Sequence, residues 1–200
     1  SEPYVERAVD EAARAFGISS NAVAYMIPEG ESEPRLFSLF AGDGDKGIAI
    51  PAEDYESFGT VRFIDMFPLV ARAIKTGATL AIDEFDASIH PMALMSIISA
   101  FHNDDINTRG AQLIFDTHNP VFLNGNVLRR DEIKFVERDE ATGLSQHYSL
   151  SDFGTTGPGG ARQGKDYMKG YFLDRYGAIN DIDFTPVFEH MLESEQQARG

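Results

Sequence analysis

Residues 78–91, Ala-Thr-Leu-Ala-Ile-Asp-Glu-Phe-Asp-Ala-Ser-Ile-His-Pro, decide how this chain is read. An apolar run, Leu80, Ala81 and Ile82, ends in two adjacent carboxylates, Asp83 and Glu84. Such a run reads as a strand covered on both faces, and its C-terminal edge is where open α/β sheets bind ligands. Two acid groups delivered to that edge suit a phosphate site, since one carboxylate can hold magnesium while the next polarises water. This is the pattern of a Walker B box. Adjacent carboxylates at a strand end also serve as turn or helix-cap residues, so the neighbouring segments have to decide.

Residues 111–120, Ala-Gln-Leu-Ile-Phe-Asp-Thr-His-Asn-Pro, form a second apolar strand ending in polar groups, which brings His118 to the same sheet edge. His118 before Asn119-Pro120 could equally cap a short helix. Between the two strands, Pro91 to His102 carries Leu94, Ile97, Ile98 and Phe101 at helical spacing, with a proline allowed in the first turn. Strand, helix, strand predicts a parallel pair with a right-handed crossover. Upstream, Phe63 to Ala73 reads as a helix ending at Gly77, preceded by Ser57-Phe58-Gly59-Thr60. Ser57 and Gly59 then lie at a helix N-terminus, which favours an anion, although serine and threonine are also ordinary helix caps.

The order of these motifs resembles the ABC-type ATPases of the AAA-like, phage-defence and overcoming-lysogenization-defect group, relatives of the chromosome-maintenance ATPases. In that group a Ser-x-Gly-Thr segment stands in for the ABC signature, followed by a helix, an Asp-Glu-x-x-x-x-x-His-Pro segment and a strand ending Thr-His. Here these are Ser57 to Thr60, Asp83 to Pro91, and Thr117-His118. Tyr171-Phe172-Leu173-Asp174-Arg175-Tyr176-Gly177-Ala178-Ile179 looks like the group's closing segment, so the resemblance runs from about residue 50 to 182. It implies a P-loop NTPase-like α/β fold, the C-terminal portion of an ABC ATPase head, with a mostly parallel sheet flanked by helices and an added β-meander. It also implies an ATP site shared between two heads, with Asp83 holding magnesium largely through water. Glu84 would be the general base and His118 the switch histidine on the γ-phosphate. Ser57, with the backbone of Gly59 and Thr60, would contact the γ-phosphate of ATP on the opposite head. Asp86, Ser88 and His90 would occupy the D-loop at the dimer seam, although His90 before Pro91 could also cap a helix.

One expected part is missing from the sequence: no Gly-x-x-x-x-Gly-Lys-Ser/Thr phosphate loop occurs. Gly159 to Asp166 has the glycine and lysine spacing, but Asp166 replaces the magnesium-binding hydroxyl, no apolar strand leads into it, and it follows the Walker B box instead of preceding it. Gly154 to Gly164 reads as a mobile linker. The expectation is that residues 1–200 are the C-terminal part of a longer protein whose N-terminal lobe carries the phosphate loop. The absence of an initiator methionine at Ser1 agrees with that, and no targeting sequence is visible. The piece alone is then expected to be inactive.

Two hundred residues at 42% hydrophobic are enough for one core, and no apolar run reaches the roughly 20 residues that cross a bilayer. The absence of cysteine rules out a disulfide framework and thiolate metal ligands, which suits a cytoplasmic location. A net charge of −15 repels a phosphate backbone, so direct nucleic-acid binding by this segment is not expected. The expected partners are the N-terminal lobe, a second copy in a homodimer, and a nuclease effector, fused or in trans.

A single domain is expected, with no repeats. Tyr4, Val5, Ala8, Ala12, Ala15 and Phe16 suggest an amphipathic helix over residues 3–16, either the returning arm of a lid or a plain surface helix. Arg35 to Phe40 and Gly47 to Pro51 read as a hairpin around residues 41–45, where Asp43 and Asp45 lack the glutamate of a calcium loop. Glu132 to Glu137 and Ser145 to Leu150 read as two strands that would extend the sheet. Lys165 to Tyr176 and Phe184 to Gln197 read as helices, with Glu189, Glu193 and Glu195 on a solvated face. Two rival functions remain: a metal-dependent hydrolase using Asp83, Glu84, Asp86, His90, His102 and His118, and a non-catalytic dimerisation module.

Overall fold

A computed structural model describes residues 4–42, 47–139, 141–155, 161, 166–179 and 182–198. These fall into two compact units, residues 1–122 and 123–200.

The first unit begins with helix α1 (Arg7–Phe16), followed by strands β1 (Ala22–Met26), β2 (Arg35–Phe40) and β3 (Ile48–Pro51). The strands form an antiparallel sheet in that order, with Ala24 opposite Phe37 and Ser38 opposite Ile50. Strand β1 was not expected. The buried face of α1 is Val9 and Ala13, one position on from the predicted stripe, and Ala8 and Ala15 are exposed. Phe16 completes this face by stacking on Phe63 at 4.4 Å. The tip of the β2–β3 hairpin, with Asp43 and Asp45, lies outside the described residues.

A short helix α2 (Ala52–Tyr55) leads to Glu56, whose Oε1 accepts hydrogen bonds from Ser20 and the fully buried Ser38 at 2.9 and 3.1 Å. A buried hydroxyl without such an acceptor would cost about 1–3 kcal/mol, so Glu56 fixes the sheet to the start of the next helix. That helix, α3 (Phe58–Thr76), is capped by Ser57 and stops at Gly77, which is left-handed at φ 77. Pro68 lies inside it and forfeits one helical hydrogen bond. Tyr25 donates to Asp65 at 2.7 Å, tying β1 to α3.

Next come β4 (Thr79–Ile82), α4 (Pro91–His102) and β5 (Gln112–Phe115). Strands β4 and β5 pair in parallel, Ile82 opposite Phe115, with α4 as the crossover and Leu94, Ile97 and Ile98 buried beneath it. The turn from α4 to β5 is fastened by Asn107, which donates to the carbonyls of Phe101 and Ala111 and accepts from the Ala111 amide, each at 2.7 to 2.8 Å. The pair is not covered on both faces: Thr79, Ala81, Gln112 and Ile114 are exposed, and Ile114 keeps 59% of its surface. Leu80, Ile82, Leu113 and Phe115 alternate with these and are half-buried.

The second unit holds an antiparallel hairpin, β6 (Lys134–Arg138) and β7 (Ser145–Ser149), then helices α5 (Tyr167–Phe172) and α6 (Thr185–Ala198). The hairpin forms its own two-stranded sheet. Among the described residues there are three separate sheets, and only β4–β5 is parallel, so the expected mostly parallel sheet extended by a meander does not form. The physical reason is that Arg138 and its neighbours pair only with β7, while an apolar face closes over Ile133, Phe135, Leu150, Tyr167 and Tyr176. Helix α5 is shorter than expected, since the chain leaves it through the left-handed Asp174 at φ 50. Gly177 is also left-handed, and an added Cβ would lie 2.7 Å from the Tyr148 hydroxyl, which donates to the Tyr176 carbonyl at the same distance. The decoy glycines 159, 160 and 164, and the side chains of Glu193 and Glu195, lie outside the described residues; Glu189 is exposed.

Candidate active site at the ends of β4 and β5

Parallel pairing in register places the residues after Ile82 beside those after Phe115. The loop after β4 is anchored by its apolar members: Phe85 is fully buried and Ile89 nearly so, and the Phe85 ring lies 4.8 Å from that of Phe115. With positions 85 and 89 turned inward, Asp83, Glu84, Ser88 and His90 are exposed and Asp86 is half-buried. The spacing of apolar residues in the sequence thus decides which side chains the loop presents.

Two residues of this loop have left-handed backbone, Glu84 at φ 49 and Ser88 at φ 62. Each costs about 1–3 kcal/mol in a residue other than glycine, and such positions cluster at sites where geometry is imposed from outside. Glu84 is held from both sides. Its N–H donates to Asp116 Oδ1 at 3.0 Å, and its carbonyl accepts from Arg62 Nη2 at 2.8 Å. The next amide, Phe85 N–H, donates to the Asp116 carbonyl at 3.2 Å. The carboxylates of Asp83 and Glu84 take no hydrogen bond among the described residues. An open carboxylate at a strand end fits magnesium, which keeps several waters and takes only one or two protein carboxylates.

At the end of β5, Thr117 Oγ1 accepts from the Asn119 amide at 3.0 Å and Asn119 Oδ1 accepts from the Val121 amide at 3.1 Å. The short 3-10 turn Pro120–Phe122 is therefore capped by Asn119, and His118 is left exposed two residues beyond Asp116. His90 does cap: its Nδ1 accepts from the Met92 amide at 3.2 Å at the start of α4.

The third segment is the N-terminus of α3. Ser57 Oγ accepts from the Thr60 amide at 3.1 Å and lies 2.8 Å from Thr60 Oγ1. Gly59 and Thr60 are buried, while Ser57 and Phe58 are exposed. Gly59 meets the loop after β4 directly: an added Cβ would overlap the Ser88 carbonyl oxygen and lie 3.0 Å from its carbon. The structure therefore brings Gly59 against the Ser88–Ile89 backbone and joins the ends of β4 and β5 through Asp116. Among the described residues, no three histidine, aspartate or glutamate side chains gather as a metal-holding group, so the alternative cluster with His90, His102 and His118 is not assembled.

Sequence reasoning missed Asp116 and Arg62. Asp116 stands directly after an apolar strand, the same signal that singled out Asp83. Arg62 carries no comparable signal, since a basic residue in the second turn of a helix is commonplace. No helix of the described residues is long and apolar enough to cross a membrane. A comparison with curated proteins finds none that matches. Residues 5–124 match a family model described as "AAA domain, putative AbiEii toxin, Type IV TA system".

Proposed function

Since the chain belongs to this AAA-domain family, a group of P-loop ATPase-like proteins, we propose that it forms the Walker B half of an ABC-type ATPase head that works as a nucleotide-gated dimer. The observation that carries this reading is the parallel register of β4 and β5, which ends at Ile82 opposite Phe115 and so brings Asp83 and Glu84 out at the same sheet edge as Asp116 and the residues leading to His118. The reading requires a phosphate loop from polypeptide beyond residues 1–200, because this sequence contains none. Asp83 would hold magnesium largely through water, and the ion would supply charge neutralisation at the phosphates. Glu84 takes a proton from the attacking water as general base, and His118 donates to the γ-phosphate. Ser57 can keep accepting from the Thr60 amide while its own hydroxyl proton turns to a phosphate oxygen of ATP on the opposite head, and the Gly59 and Thr60 backbone adds the positive end of α3. Asp86, Ser88 and His90 lie at the dimer seam.

The biological output we propose is control of an effector, a nuclease fused or supplied in trans, in defence against phage or foreign DNA. The support for a defence role is the family's description, which names a putative toxin of a type IV toxin–antitoxin system. The test is ATP turnover by the full-length protein beside Glu84→Gln, with dimerisation followed in the same samples. Loss of turnover with an ATP-trapped dimer is expected, and residues 1–200 alone should hydrolyse no ATP. Unchanged turnover in Glu84→Gln would show that Glu84 is not the base.

A further inference from the structure

Asp116 has no part in the reading above, yet it makes the contact that fixes Glu84. Its Oδ1 accepts from the Glu84 amide and its carbonyl accepts from the Phe85 amide, at 3.0 and 3.2 Å. Regular pairing has already ended at Ile82 and Phe115, so neither bond belongs to the ladder. On the other side, Arg62 reaches from α3 to the Glu84 carbonyl at 2.8 Å and to the Asp83 carbonyl at 3.5 Å. Glu84 stands in the left-handed region between these two holds. A residue other than glycine keeps that backbone only where its surroundings over-determine it, and here two side chains from different elements do so.

We propose that Asp116 is a positioning residue for the general base: by accepting the Glu84 N–H, it locks the turn that leaves β4 and so fixes the point from which the Glu84 carboxylate reaches the attacking water. The inference rests on the reading of Glu84 as base. The geometry asks Asp116 for an acceptor oxygen and not for a charge. An amide oxygen at the same place serves, and a methyl group does not. Arg62 provides the matching hold from the helix that begins at Ser57.

The test uses the full-length ATPase with Asp116→Ala, Asp116→Asn, Arg62→Met and Glu84→Gln. It reads kcat and KM separately, and it reads hydrogen exchange of the amides at residues 84–85 without nucleotide. Asp116 is exposed, so its truncation should leave the fold intact. Asp116→Ala is expected to lower kcat about 10- to 100-fold with KM within about twofold, since a displacement of about 1 Å costs that much. It should also speed exchange at residues 84–85. Asp116→Asn should restore both to within a few-fold of the parent, and Arg62→Met should repeat the kcat-selective loss. Parent kcat in Asp116→Ala overturns the proposal whatever Arg62→Met does, as does Asp116→Asn being as impaired as Asp116→Ala, which would make the charge itself the working group. Full turnover in Glu84→Gln sinks the reading of the base. A dead Glu84→Gln beside an unaffected Asp116→Ala sinks only the present inference.

Discussion

Gly59→Ala tests the packing that joins the start of α3 to the loop after β4. The added methyl would overlap the Ser88 carbonyl oxygen, with its carbon 3.0 Å away where ordinary contact begins at 3.4 Å. Both partners are backbone, so no rotamer change relieves the clash, and the helix start and the loop have to separate. Overpacking of this kind costs about 1–3 kcal/mol. Replacing glycine by alanine in a helix returns up to about 1 kcal/mol, less in the first turn. The net loss should be about 1–2 kcal/mol, which lowers the melting temperature by roughly 3–8 °C in a unit of this size. Gly154→Ala is the control, since its Cβ would meet nothing within 4 Å and its φ is not positive; it should be neutral or slightly stabilising. Thermal unfolding followed by circular dichroism compares the two variants. A Gly59→Ala protein as stable as the parent would show that the loop is not seated on the helix as described.

Asn107→Ala should cost about 2–3 kcal/mol, because it removes three hydrogen bonds that close the α4–β5 turn, and urea unfolding should show a lower midpoint; an unchanged midpoint would mean that water replaces them. Burial, and secondarily Glu137, pushes the Tyr148 phenol up to about 12. Its contribution to stability is therefore complete below about pH 10, the phenol's value in the unfolded chain, and is lost as pH rises through about 12. Absorbance at 295 nm should show a phenolate step near 12 that disappears in Tyr148→Phe, and ionisation of every tyrosine together near 10 would refute it.

The parallel pair and its crossover were legible because each strand is a short apolar run closed by a polar residue, and because Leu94, Ile97 and Ile98 repeat at helical spacing. The hairpins were legible from their turns. The rest depends on contacts that no local pattern encodes. Strand β1, Ala-Val-Ala-Tyr-Met, has two alanines and becomes a strand by pairing with β2 along one edge and with Tyr4 at Tyr25. The stripe of α1 was misplaced because alanines occupy both faces, and Val9 and Phe16 settle which side meets Phe63. The exposure of Ala81 and Ile114 runs against an apolar strand's usual meaning, since composition reports what a face would prefer and not what covers it. At the candidate site, the exposed carboxylates could be named from sequence. The residue that holds Glu84 in place could not, because the Asp116 contact joins positions 32 apart.

The alignment of Ile82 with Phe115 also governs which sequence changes such a protein can tolerate over evolutionary time. One residue added within either strand would slide the acid end of one past the histidine end of the other and would reverse every side chain beyond it. Residues added between Asn103 and Arg109 would cost at most the Asn107 contacts that close the turn and would leave the register of the two strands unchanged. Distant members of this lineage should therefore keep a fixed count from Leu80 to Glu84 and from Leu113 to His118, and vary in the count between the two blocks. A search that scores the blocks rigidly and leaves the gap free would recover relatives that uniform gap penalties pass over.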